Sequence, residues 1–276
     1  MRKNILLPTD FSDNSWNAII YALKLYAEED CTFYLLNSIK IKVSTASNFS
    51  KKIKRVIEEK SKKELLRFKE QAVLTNTNAN HEFKIILRSE NLEQSIDIAI
   101  DKYHINLVVM GTQGATGAKE FFFGSNTVKA IEKARLCPVL AVPDGYDFII
   151  PKQIAFSTDL NRFYDFLDLK PLRDLADLYH SKIRIFHVNQ EEHLSEIQEH
   201  NCTTLKEYLK EYEHDFYWMP AYTKKEKEIN DFILDLDINI LVMINYKHSF
   251  IEGVIKEPVI KKIGFHPIIP FFVIPE

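Results

Sequence analysis

Glycine and cysteine are scarce in this chain of 276 residues, which has seven of the first and three of the second. Cys31, Cys137 and Cys202 are odd in number, far apart and without a Cys-x-x-Cys pair, so the sequence offers no redox or zinc motif and fits a reducing, cytoplasmic setting. Apolar runs are short. None approaches the roughly 20 residues of a membrane span, and the stretch Ile5-Leu6-Leu7 before Pro8 is too brief for the core of a secretory leader. Charge of one sign is missing too: a net charge of -3 gives no basic field, which argues against binding nucleic acid through phosphate neutralisation. The one basic concentration, Lys51 to Lys63, is interleaved with Glu58, Glu59 and Glu64 at helical spacing and predicts a solvated helix face.

What the chain does have is an apolar content of 46%, enough for a large core or two ordinary ones. Its few glycines are also clustered. Gly111, Gly114, Gly117 and Gly124 fall in one window, directly behind the apolar run Ile105-Asn106-Leu107-Val108-Val109-Met110. Glycine lets backbone N–H groups approach an anion with no Cβ in the way. The window ends in Ser125-Asn126-Thr127 and leads into Val128-Lys129-Ala130-Ile131, a pattern that predicts a strand, an anion-cradling loop and a helix N-terminus.

An internal repeat organises the rest. Ile5 to Phe11 aligns with Ile154 to Leu160, and both segments stop at Thr-Asp. Ile105 to Met110 aligns with Ile238 to Met243, and Pro138 to Pro143 with Pro270 to Pro275. Three matches in the same order indicate duplication. Within each copy, continuous apolar runs alternate with helical patterns, as buried parallel strands joined by crossover helices require. The first helix is expected to bury Trp16, Ile19, Ile20, Leu23 and Tyr26, and its counterpart Leu172, Leu175, Ala176 and Tyr179, with Pro171 in the first turn. Each copy should contain five strands and about four helices. The seam falls in the turn-prone Asp144-Gly145-Tyr146-Asp147, and the polar tract Thr75 to Asn80 is expected to be an exposed loop.

At these residues the chain resembles tandem universal stress proteins of the nucleotide-binding kind. Their pattern is Gly, two residues, Gly, nine residues, Gly, then Ser or Thr, behind a fourth strand, with an Asp closing strand one; Gly111, Gly114, Gly124, Ser125 and Asp10 supply it without a change of spacing. The resemblance implies an α/β fold of two tandem open five-stranded parallel-sheet domains, Rossmann-like and related to the adenine nucleotide alpha hydrolases, forming an internal pseudo-dimer. Residues 1–146 would carry the ATP-binding loop, and 147–276 a degenerate copy. It also implies ATP, with Mg through the phosphates, at the carboxyl ends of the strands. Pro8, Thr9 and Asp10 would face the adenosine, Ser38 would lie beside the adenine, and Met110 and Gly111 would flank the ribose. Gly114 and Gly124 would let the chain wrap the phosphates, with Ser125, Asn126 and Thr127 donating. Ser38 stands where the family commonly has an apolar residue, and Asn37 where it commonly has His.

The residues support the same division on their own terms. Asp10 at a strand end suits a ribose hydroxyl or, through water, a divalent ion; its competing reading is a helix N-cap, a task open also to Ser12 and Asp13. Copy two has Ile244-Asn245-Tyr246-Lys247-His248-Ser249 where the glycine loop would begin and Pro258 near the place of Gly124, so it is expected not to bind ATP, with Asp159 left as a structural echo.

No P-loop, pyrophosphatase loop or His-x-Gly-His is present, and no general base is placed, which predicts a binding module rather than an enzyme, with at most slow ATP hydrolysis. Lys119 is expected to be a solvated loop lysine. His193, His200, Cys202 and His214 match no metal spacing, and His187 is expected to be a satisfied core residue. Phe121-Phe122-Phe123 could pack inward or meet a protein partner. Two readings stand: an ATP-binding stress or regulatory module, or a scaffold that keeps the fold for dimerisation and protein interaction without nucleotide.

Overall fold

The structure is a computed structural model that describes residues 2–39, 48–112, 125–133, 137–189, 193–220, 225–245 and 268–275. The chain divides into two compact units, Met1–Phe148 and Ile149–Glu276.

Unit 1 runs β1 (Lys3–Pro8), α1 (Asp13–Leu25), β2 (Cys31–Ser38), α2 (Asn48–Thr75), β3 (Glu82–Arg88), α3 (Leu92–Tyr103), β4 (Leu107–Gly111), α4 (Ser125–Lys133) and β5 (Val139–Val142). Its strands are all parallel, in the order β3-β2-β1-β4-β5. The chain leaves β1 toward β2 and β3, then crosses back to β4 on the other side of β1. The order therefore reverses between β1 and β4, which is where open parallel sheets form a crevice at their carboxyl ends. Apolar runs fill the central strands because both sheet faces are covered: Ile5, Leu6, Leu7, Phe33, Leu35, Leu36, Val108 and Leu140 are all fully buried.

Local signals start and stop the helices. Ser12 caps α1 by accepting from Ser15 N, and Asn91 caps α3 by accepting from Gln94 N. Beyond α3, His104 turns left-handed at φ 49°, and Asn106 Oδ1 then accepts from Asn4 N at 2.8 Å, tying the approach to β4 to the start of β1. The buried face of α1 is broader than the expected stripe. Ala18, Tyr21, Ala22 and Leu25 join Ile19 and Leu23 in the core, while Trp16 and Ile20 are only half-buried. In α2 the expected i,i+4 pairs form, Lys54 with Glu58 and Arg55 with Glu59.

The tract after α2 is more ordered than a bare surface loop. Asn78 donates from Nδ2 to the carbonyls of Ala27 and Glu29, and the buried His81 ring contacts Asn76 Oδ1 at 2.6 Å and the carbonyls of Tyr26 and Glu29. Asn76 and Asn78 are half-buried in consequence.

Unit 2 contains β6 (Gln153–Ser157), α5 (Lys170–Asp177), β7 (Lys182–Asn189), α6 (Glu196–Tyr208), β8 (His214–Pro220), α7 (Lys225–Asp235), β9 (Ile240–Asn245) and β10 (Phe271–Pro275). These strands are parallel in the order β8-β7-β6-β9-β10, the same sequence of neighbours as in unit 1. Pro171 occupies the first turn of α5 as expected, and Leu172, Leu175 and Ala176 are buried. Smaller devices repeat as well. Asn239 Oδ1 accepts from Gln153 N at 2.9 Å, as Asn106 does from Asn4, and Asp237 turns left-handed at φ 49°, as His104 does.

Candidate functional site at the carboxyl ends of β1 and β4

The crevice of unit 1 is built on Thr9, the residue after β1. Its N–H donates to Leu36 O at 2.8 Å, its carbonyl accepts from Asn37 Nδ2 at 2.8 Å, and its hydroxyl oxygen accepts from Phe11 N at 3.0 Å. Ser15 donates its own hydroxyl to Ser12 O at 2.8 Å, so the 2.9 Å contact between Thr9 Oγ1 and Ser15 Oγ is donated by Thr9. Thr9 itself is 6% exposed, and these bonds fix the turn in which Phe11 adopts φ 66°, a strained angle for a residue with a Cβ.

Asp10 is exposed beyond this anchor. Its Oδ1 accepts from Ser12 N at 3.2 Å and from Ser12 Oγ at 2.5 Å. Ser12 is therefore the N-cap, and Asp10 braces it. At the end of β2, Ser38 donates from Oγ to Glu90 O at 2.6 Å.

Met110 and Gly111 end β4 and are buried, with Gly111 in register with Val142. The Gly111 carbonyl accepts from Thr127 Oγ1 at 2.8 Å, so the Thr127 hydroxyl hydrogen is committed to joining β4 to α4, and the side chain is 2% exposed. Asn126 is exposed in the first turn of α4, which begins at Ser125. Gly114 and Gly124, with Lys119 and Phe121 to Phe123, lie outside the described residues.

Asn14, which the motif reading passed over, completes the arrangement. It is the second residue of α1, 6% exposed, and packs against Gly111 so closely that a Cβ there would fall 1.5 Å from Asn14 Oδ1 and 2.6 Å from its Cγ. Neither atom of its carboxamide has a hydrogen-bond partner among the described residues. A buried polar group left in that state costs about 1–3 kcal/mol.

Unit 2 keeps the anchor and changes the crevice. Leu160 N donates to Thr158 Oγ1 at 3.0 Å, Thr158 Oγ1 meets Tyr164 OH at 2.9 Å where Thr9 meets Ser15, and His187 Nδ1 lies 2.9 Å from Thr158 O where Asn37 serves Thr9. Leu160 repeats the left-handed turn at φ 57°. His187, 3% exposed, is thus a satisfied core residue. At the place of Gly111 stands Ile244, buried, and at the place of Asn14 stands Phe163, which is 53% exposed. The close approach of α1 to β4 therefore has no counterpart. Of the tempting histidines, His193 and His200 are exposed, whereas Cys202 is buried.

An open parallel α/β sheet whose strand order reverses between β1 and β4 defines a Rossmann-like class of fold, and comparison with known proteins makes the class specific. The model of the Universal stress protein family matches residues 1–143. The chain belongs to that family, and so to a group with a stress-response role. A universal stress protein of Methanocaldococcus jannaschii is 28% identical over 148 residues, covering 51% of this chain and 81% of that protein. The structure of a universal stress protein from Archaeoglobus fulgidus matches with TM-score 0.72 at 15% identity, over 99% of this chain and 96% of that one. A Pseudomonas aeruginosa protein of unknown function matches with TM-score 0.59 at 12% identity, over 99% and 92%. At these identities the solved structures speak for the fold, which both share across both units. Among the described residues no helix is long and apolar enough to cross a membrane.

Proposed function

We propose that the first repeat binds ATP, with Mg held through its phosphates, and that occupancy alters the surface this stress protein presents to a protein partner. The observation that carries the reading is the end of β4. Gly111 ends β4 at the reversal point of the sheet, with the carboxamide of Asn14 in the space a side chain would take, and the spacing Gly111, Gly114, Gly124, Ser125 begins there. In this reading Asp10, exposed at the end of β1, accepts from the ribose or holds a hydrated Mg ion. Pro8, Thr9, Ser38 and Met110 frame the adenosine, and the first turn of α4 at Ser125 and Asn126 faces the phosphates with the positive end of its dipole. Thr127 supports that turn through Gly111 rather than by donating its hydroxyl to the ligand. The second repeat, with Ile244 in place of Gly111, does not bind nucleotide.

Thermal melting with and without ATP and Mg tests the proposal. A ligand at about 100 times its dissociation constant adds roughly 2.7 kcal/mol, or a rise of several degrees for a unit of about 150 residues. Gly114→Val and Gly124→Val are expected to abolish the rise while leaving the unliganded melting cooperative. A wild-type chain that shows no rise removes the nucleotide and leaves the scaffold reading.

A further inference from the structure

We infer that Asn14 is a phosphate-binding residue of the first repeat, its carboxamide N–H groups donating to the phosphate chain of the nucleotide; this rests on the ATP reading above. Three observations converge on it. The side chain is 6% exposed and its Nδ2 has no partner among the described residues, although buried amide donors are nearly always paired. Its Oδ1, also without a hydrogen-bond partner among the described residues, is turned against the Cα of Gly111, so the carboxamide is held there by shape and its amide N–H groups are the unpaired strong donors. Its position is also the crevice itself, between the start of α1 and the last residue of β4, where the glycine spacing begins. Donors from a neutral amide at the positive end of a helix suit an anion better than a base edge or a sugar hydroxyl.

The second repeat supplies the internal control. It preserves the strand-end anchor through Thr158, Leu160 and His187, yet both members of the Asn14–Gly111 pair are replaced, by Phe163 and Ile244. The pair packs α1 against β4 in the first repeat; in the second, where α5 begins only at Lys170, it disappears together with the glycine spacing.

The experiment is calorimetric titration of wild type, Asn14→Ala and Asn14→Asp with ATP and Mg, and separately with adenosine. Aspartate keeps the shape, is welcome at a helix start and places negative charge where a donor stood. ATP affinity is expected to fall about tenfold in Asn14→Ala and further in Asn14→Asp, while adenosine affinity stays within about twofold. Unliganded melting curves verify that each variant is folded, and either variant alone suffices for the comparison. ATP affinity within about twofold of wild type in a folded variant overturns the assignment, and so does an equal loss for adenosine, which would place the carboxamide away from the phosphates. If wild type itself binds no ATP, the ATP reading fails first and this inference falls with it; the wild-type titration alone decides that case.

Discussion

Asn37 donates from Nδ2 to the carbonyl oxygen of Thr9 at 2.8 Å, and this bond, 92% buried on the Asn37 side, holds the end of β1 against the end of β2. His187 contacts Thr158 in the same place with a different side chain. Asn37→His is therefore expected to keep stability within about 1 kcal/mol, whereas Asn37→Leu, which removes this donor from a buried carbonyl, should cost about 1–3 kcal/mol. Urea unfolding of the two variants measures the difference.

Gly111→Ala is expected to destabilise unit 1 by about 1–3 kcal/mol, a fall of several degrees in melting temperature, because its Cβ would occupy the space of Asn14 Oδ1. The cost should shrink when Asn14→Ala is added. A double-mutant cycle with additive effects would show that the two residues do not share that space.

Asp159→Ala is expected to leave ATP affinity within about twofold of wild type, since the proposed ATP site lies in unit 1 alone. Asp10→Ala, by contrast, should weaken ATP and also loosen α1, whose N-cap Ser12 it braces. Titration of both variants checks the asymmetry, and a large loss in Asp159→Ala would overturn the single-site assignment.

The cysteines provide a test that is independent of ligand. Burial pushes the Cys31 and Cys137 thiols up to about 12, and Cys202 is raised by burial as well. In the folded chain all three should resist iodoacetamide at pH 8 and react on unfolding. The sign of the pH effect follows from the raised values. Folded thiols hold their protons where unfolded ones release them, so this contribution is intact below about pH 9 and is lost between about pH 9 and 12, by up to about 1.4 kcal/mol per pH unit for each thiol. Cys137→Ala should show a shallower alkaline decline in stability than wild type.

Much of the frame was legible because duplication prints it twice. The apolar runs at Ile5, Ile105 and Pro138 and their partners at Ile154, Ile238 and Pro270 all lead into or form strands, and a buried parallel strand announces itself as a continuous apolar run. The face of α1 was less legible. Periodicity assigns Trp16 and Ile20 inward, but burial depends on where β4 and β5 lie, and that brings Ala18, Ala22 and two polar residues, Asn14 and Ser15, into the interior. The tract Thr75 to Asn80 looked like open loop because its amides are polar; Asn78 is drawn in by carbonyls of Ala27 and Glu29, some 50 residues away in sequence. At the site, Asp10 and Gly111 carried motif signals and stand at adjacent strand ends. Asn14 carried none. Only the coincidence of two departures in the second copy, Phe163 with Ile244, could have pointed to it.

Thr9 and Thr158 hold equivalent strand ends in place with equivalent bonds, one in a repeat where the neighbouring strand ends in Gly111 and one in a repeat where a buried isoleucine stands at the corresponding strand end. The machinery that finishes the strand is thus separable from the machinery that would meet a ligand. A duplicated chain of this kind can change what lies beyond one strand end by a few substitutions and keep that half folded, free to diverge on its surface independently of its twin.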